Sequence, residues 1–247
     1  MNKTDIKLQY NESKINNNAI PVIIVAAGSS TRMKGINKQF MPILGIPVIA
    51  RTLMAFESSD AISKIIVVTA SDSIIDMQLV CEKYMISKAT DIVAGGKNRH
   101  QSVIKGIERL TSSDLKVLIH DGARPFVEAS VICEVADALN TFDAALCVNK
   151  INDTVKKVSD DGIVVSTIDR DMLYAAQTPQ GVDVLKYKNA CDTVSNVEEL
   201  TDDASVMEMA GYSVKAIVSS GKNIKITTPD DIAIAEAIIK GESELCE

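Results

Sequence analysis

The sequence predicts an α/β fold: a Rossmann-like, mostly parallel sheet with helices on both faces, plus an inserted β-hairpin dimerisation arm. Three observations carry that expectation. Short apolar runs alternate with stretches of about a dozen residues in helical period, the pattern of repeated βαβ units. The first run breaks into a loop rich in Gly and Ser, as strands do where open α/β sheets bind ligands. One segment, residues 149–177, departs from the alternation. At 247 residues and 46% hydrophobic content the chain can bury a substantial core.

Residues 1–19 are rich in Asn and Lys with few apolar groups, so they read as a tail with no fixed structure. Residues 20–247 read as a single domain. Its first strand is expected at Val22–Ala26, and Pro47, after the Gly45-Ile46 turn, opens a helix to Glu57. A strand at Lys64–Ala70, a helix at Ser73–Tyr84 and a strand at Asp91–Ala94 follow. Gly95-Gly96 then leads into a helix over Arg99–Leu110, with a strand at Lys116–His120, a helix at Val127–Asn140 and a strand at Asp143–Val148. Within the arm, Asp153–Lys157 and Gly162–Ile168 flank Ser159-Asp160-Asp161-Gly162, a hairpin signal. A hairpin inserted in such a sheet exposes edges that something must cover. A second subunit is the expected cover, in an arm-exchanged homodimer, with an arm folded back on its own domain as the alternative. Asp202 and Asp203 sit where a helix begins. Beyond a strand at Ser213–Val218, the last helix is expected over Pro229–Lys240. Thr227 or Thr228 would cap it, Asp230 and Asp231 would lie in its first turn, and Gly241 would end it.

Net charge is −7, which argues against a nucleic-acid backbone or an anionic membrane as partner. Any phosphate must therefore meet a few placed cations. Cys81, Cys133, Cys147, Cys191 and Cys246 show no paired spacing and read as thiols in a reducing compartment. With no apolar stretch of roughly 18 residues and no leader, the expected location is the cytoplasm.

The run Val22 to Lys38 is the strongest site signal. Ala26, Ala27, Gly28, Ser29 and Ser30 would expose backbone N–H groups as an anion seat, and Arg32 and Lys38 would complete a phosphate cradle. Gly96, Arg99 and Ser102 repeat the theme on a smaller scale. Asp121 closes an apolar strand, where a carboxylate can hold Mg²⁺ together with ligand phosphates; the alternative for Asp121 is a helix cap. His120 reads as a core histidine. Lys225 lies in a short β-rich run and can face the same crevice.

Taken in order, VAAGSSTRM, KQF, AGGKNRHQSV, HDGARPF, NDTVKKV, TIDRDMLYAAQTPQ, TDDASVMEMAG and NIKITTPDDI resemble the 2-C-methyl-D-erythritol 4-phosphate cytidylyltransferase family of nucleotidyltransferases. The resemblance spans about Ile20 to Lys240. It implies CMP transfer from CTP to 2-C-methyl-D-erythritol 4-phosphate in the non-mevalonate route to isoprenoids, with Mg²⁺ as cofactor. Arg32, Lys38 and Lys225 would then be the catalytic cations. Ala26, Ala27, Gly28, Ser29, Ser30, Gly96 and Ser102 would bind the nucleotide. Asp121, Arg124, Thr154, Arg170 and Thr201 would face the acceptor, Thr154 and Arg170 across the dimer, with Asp121 also at the metal. Departures from the family pattern are Asn37 in place of proline, Gly122 in HDGARP and Asn149 at the root of the arm.

The chemistry fits these residues. A phosphomonoester is largely dianionic near pH 7, with a second pKa of about 6, so no side-chain nucleophile is needed. The task is positioning and charge stabilisation at a crowded phosphorus. Ribitol 5-phosphate is an alternative acceptor, and a CTP-binding regulatory module without turnover is the alternative from another class.

Overall fold

The computed structural model of the chain describes residues 18–28 and 37–244, with side chains through 241. The tail expected over 1–19 therefore lies outside the described residues except for Asn18 and Ala19. Eleven strands are described: β1 (Ile20–Ala26), β2 (Pro42–Ile43), β3 (Ile46–Pro47), β4 (Ile62–Thr69), β5 (Ala89–Ala94), β6 (Lys116–Asp121), β7 (Ala144–Lys150), β8 (Val155–Val158), β9 (Val164–Ile168), β10 (Tyr174–Asp183) and β11 (Val214–Val218). The helices are α1 (Val48–Glu57), α2 (Ile74–Lys83), α3 (Arg99–Ile107), α4 (Ala129–Ala138), α5 (Val184–Thr193), α6 (Asp203–Met209) and α7 (Pro229–Glu244).

Seven strands form one sheet in the order β11-β7-β10-β6-β1-β4-β5. All pairings are parallel except those of β10, which runs antiparallel to both β6 and β7. Both faces are covered, so the central strands are apolar almost throughout. The period of two along β1 splits its side chains between layers. Val22, Ile24 and Ala26 pack in one cluster with Ile49 and Leu53 of α1, Met77 of α2 and Ile132 of α4. Ile23 packs in the other with Val103 of α3, Tyr187 of α5 and Met207 of α6. Order reverses at β1: the chain lays β4 and β5 on one side of it and β6 on the other. Open sheets of this kind bind ligands beyond the strand ends at such a reversal.

Three local expectations change. β10 and α5 were not anticipated from the sequence. α7 runs past Gly241 to Glu244, because Gly241 does not take the left-handed backbone that ends a helix. Residues 223–227 carry no ladder hydrogen bonds of a strand; one backbone–backbone bond, Ile226 N–H to the carbonyl of Ala123 at 2.8 Å, ties them to the loop after β6.

The hairpin forms as expected. β8 and β9 pair antiparallel, with the Gly162 N–H bonded to the Ser159 carbonyl at 2.9 Å, as a two-stranded sheet separate from the main one. Among the described residues, no helix is long and apolar enough to cross a membrane.

Candidate active site

A crevice of about 530 Å³ opens where the strand order reverses. It gathers Ala27 and Gly28 after β1, Gly96 and Ser102 after β5, and Asp121 at the end of β6. Lys38 and Lys225 close it from two further segments. Ser29, Ser30 and Arg32 lie outside the described residues. Ala26 is buried under the crevice in the core cluster on the α1 side.

Each wall has a local cause. The loop after β5 must pass close to the loop after β1, and a Cβ at Gly95 would stand 2.4 Å from that of Ala27. The Ser102 hydroxyl then fixes this loop, accepting from the Gly96 N–H at 3.1 Å and donating to the Asn98 carbonyl at 2.8 Å. Asn98 caps α3 through the Gln101 N–H at 2.8 Å. Lys38 begins a single 3₁₀ turn, Lys38–Phe40, capped by the Asn37 side chain through the Gln39 N–H at 3.1 Å. Asn37 also donates to the Ser73 hydroxyl at 3.3 Å, so the residue that departs from the family pattern supplies the cap of the turn carrying Lys38.

Asp121 forms the floor. Its N–H donates to the Thr178 hydroxyl at 3.0 Å, and the Gly122 N–H donates to the Val25 carbonyl at 2.9 Å. Lys225 Nζ lies 2.6 Å from Asp121 Oδ2, and Arg99 Nε lies 3.4 Å from Oδ1. Burial alone would raise the pKa of this carboxyl, but Arg99, Lys225 and Arg124 together hold it well below the usual carboxylate range. The group is therefore an anion in a crevice of cations. Lys225 is held there because Ile226, its neighbour, is buried with Ile43, Val48 and Ala235.

His120 serves the scaffold. His120 Nε2 faces the Arg124 carbonyl at 3.2 Å and so must donate to it, which leaves Nδ1 of the neutral ring to accept from the Thr178 hydroxyl at 3.1 Å; that hydroxyl accepts in turn from the Asp121 N–H. Burial lowers the pKa of the ring to about 4 and keeps it neutral. Arg124 does not line the crevice; its guanidinium donates to the Asn223 carbonyl at 2.8 Å and braces the segment that carries Lys225. Thr154 and Arg170 lie on the exposed arm, where Arg170 donates to the Asn152 carbonyl, and Thr201 is exposed before α6. None of these three lines the crevice.

Sequence reasoning passed over Tyr187 and Gln180 in the supporting layer, and it read Arg99 and Asp203 without their partners. Arg99 Nη2 reaches Asp203 Oδ2 at 2.7 Å, Tyr187 donates to Asp203 Oδ1 at 2.9 Å, and the Gln180 side chain accepts from the N–H of Asp203 and of Ala204 at 2.9 Å each. Arg99 carried a signal as part of the Arg-to-Ser run after the Gly pair, and Asp203 as a helix start; neither pointed to the pairing of the two.

Among the described residues, no cluster of three His, Cys, Asp or Glu side chains could hold a metal alone. Asp121 is the one carboxylate among the described residues of the crevice wall. A single carboxylate suits a magnesium ion whose remaining ligands are phosphate oxygens and water.

A sequence model described as "2-C-methyl-D-erythritol 4-phosphate cytidylyltransferase" matches residues 20–241. The protein of that name from Halalkalibacterium halodurans is 42% identical over 220 residues, covering 88% of this chain and 96% of the relative. Its namesake from Clostridium acetobutylicum is 41% identical over 227 residues, covering 90% and 97%. Among solved structures, 4-diphosphocytidyl-2C-methyl-D-erythritol synthase from Anaerococcus prevotii superposes with a TM-score of 0.78 at 31% identity, covering 90% of this chain and 98% of that one. The cytidylyltransferase from Francisella tularensis gives a TM-score of 0.72 at 30% identity, covering 88% and 98%.

Proposed function

The chain belongs to the 2-C-methyl-D-erythritol 4-phosphate cytidylyltransferase family, and we propose that the crevice at the ends of β1 and β6 is where it transfers CMP from CTP. The acceptor is 2-C-methyl-D-erythritol 4-phosphate, and the products are 4-diphosphocytidyl-2-C-methyl-D-erythritol and pyrophosphate. One observation carries the assignment of the site: a lysine, Lys225, paired at 2.6 Å with a strand-end carboxylate on the floor of a crevice that a second lysine, Lys38, also lines.

The acceptor phosphate, already dianionic near neutral pH, attacks the α-phosphorus of CTP, and pyrophosphate leaves opposite the incoming oxygen. Lys38 and Lys225, with Arg32, neutralise the triphosphate and the charge that gathers on the reacting phosphorus. The backbone of Ala26, Ala27 and Gly28, with Ser29 and Ser30, seats the nucleotide, and Gly96 with Ser102 shapes the wall against the base. Asp121 would hold the divalent ion, which when bound would offset the negative charge of the phosphates. Arg124 and Thr201 complete the acceptor side. Thr154 and Arg170 reach it from the arm of a second subunit, a reading supported by the exposed apolar residues Ile163, Val164, Val165 and Met172 on that arm.

A pyrophosphate-release screen of CTP, UTP and ATP against methylerythritol phosphate and ribitol 5-phosphate tests the assignment. The expected signal comes from CTP with methylerythritol phosphate. Higher kcat/KM with ribitol 5-phosphate would replace the acceptor, and CTP affinity with no pyrophosphate would replace catalysis by binding alone.

A further inference from the structure

Arg99 opens α3 and lines the crevice, yet the chemistry above gives it no task. Its guanidinium lies between two carboxylates on different elements, Asp203 at 2.7 Å and Asp121 at 3.4 Å. The closer of the two is an anchor. Asp203 is 1% exposed, its other oxygen accepts from the Tyr187 hydroxyl, and its N–H is taken by Gln180. Held on three sides at the start of α6, that carboxylate cannot follow anything that happens in the crevice.

The two oxygens of Asp121 are divided. Oδ2 faces Lys225 and Oδ1 faces Arg99. Lysine is a point charge on a long, rotatable stem, whereas the arginine fork is planar and can grip two acceptors in fixed directions. If Lys225 serves the triphosphate, its ammonium must swing off Asp121. Arg99 has no such freedom, because its shorter contact points away from the crevice.

We propose that Arg99 is a positioning residue for CMP transfer: anchored on Asp203, it keeps the Asp121 carboxylate in place when Lys225 turns to the triphosphate. The inference rests on the assignment of the crevice made above. It has a directional consequence. Asp203 follows Thr201 and Asp202 at the start of α6, so the same anchor joins the acceptor-side loop to the crevice floor. Loss of the anchor should therefore disturb acceptor handling and turnover while sparing CTP recognition.

Steady-state kinetics with CTP and methylerythritol phosphate, alongside thermal melts, test this on Arg99→Lys, Asp203→Asn and Tyr187→Phe. Lysine at 99 keeps the charge but cannot span two carboxylates. We expect kcat for Arg99→Lys to fall at least ~10-fold and the acceptor KM to rise several-fold, with the CTP KM within ~2-fold of the parent. Asp203→Asn should give the same pattern, and the double variant should be no worse than the poorer single one. Tyr187→Phe loses one hydrogen bond and keeps its ring, so it should shift the same two parameters more mildly even if Asp203→Asn fails to fold. A rise confined to the CTP KM would make Arg99 a nucleotide ligand and overturn the inference. So would unchanged kinetics, or a fall in kcat that only tracks the folded fraction. Each of those results needs an active parent; a parent silent with both substrates would instead overturn the assignment of the reaction, and this inference with it.

Discussion

Lys225 holds a partner, Asp121, that the substrate must displace in the proposed mechanism. In the structure its ammonium and Asp121 neutralise each other at the crevice floor, and with triphosphate present the stronger local anion is the phosphate. The floor does not collapse without Lys225, because Arg99 and Arg124 still surround the carboxylate. Lys225→Ala is accordingly expected to fold normally, with a thermal midpoint close to the parent's, and to lose about 10²- to 10³-fold in kcat, the usual cost of removing one preorganised charge donor. Full turnover in the pyrophosphate assay would remove Lys225 from the mechanism. Gly122, the residue after Asp121, makes a packing prediction. A Cβ there would meet Ile49 Cδ1 at 2.8 Å and both Ala26 Cβ and Gln39 Oε1 at 3.1 Å. Gly122→Ala should cost about 1–3 kcal/mol by overpacking. Ile49→Val removes the nearest of those atoms, so the double variant should be more stable than the two single costs added together. Chemical denaturation of the four proteins decides it, and simple additivity would place the strain elsewhere.

Among the elements, the strands that read most clearly from the sequence are those buried on both faces, since their apolar runs need only end in turn signals to be recognised. β10 shows why others did not. Its sequence, YAAQTPQGVD, has no alternation and carries a proline, which argues against a central strand. The fold accommodates it with a register break: pairing with β7 is interrupted between Ala176 and Gln180, and Pro179 sits inside that interruption. Missing β10 also hid α5, and with it Tyr187, so the anchoring of Asp203 could not be read from the chain. The last helix was legible at its start, though the bonds run the other way round. Threonine was expected to cap the helix, whereas Asp231 reaches back and accepts from the N–H of Thr227 at 2.7 Å and of Thr228 at 2.8 Å. Burial alone would raise its pKa, but these bonds outweigh that and lower it. A carboxyl lowered in the fold contributes stability that is complete above its unfolded value, about 4, and is lost as pH falls through the folded value. Asp231→Ala should therefore destabilise the protein by about 1 kcal/mol at pH 7. The gap between variant and parent should close in denaturation curves taken below about pH 4, and a gap independent of pH would show that the carboxylate is not the cap.

At the scale of the whole molecule, the crevice was legible because it sits at the strand-order reversal, while the role expected of Thr154 and Arg170 rests on resemblance and needs a second chain. Thr154 and Arg170 belong to an arm whose two strands form their own sheet, away from the crevice wall. That arm leaves Ile163 66%, Val165 60% and Met172 87% exposed, a large apolar load for one two-stranded ribbon. A ribbon of two strands is at best marginally stable in water without a packed face. Cover by a second copy would satisfy that face and would bring Thr154 and Arg170 to the acceptor side of the other crevice. The prediction is a particle of twice 26.6 kDa by light scattering. Val164→Asp and Val165→Asp, which place a charge on opposite faces of β9, should each be tested. The one facing the partner should shift the particle toward a single chain and raise the acceptor KM at least ~10-fold. CTP affinity, which depends on the crevice of one chain, should be retained. A parent that scatters as one chain, or a dissociated variant that still uses the acceptor normally, would return Thr154 and Arg170 to the surface of their own subunit.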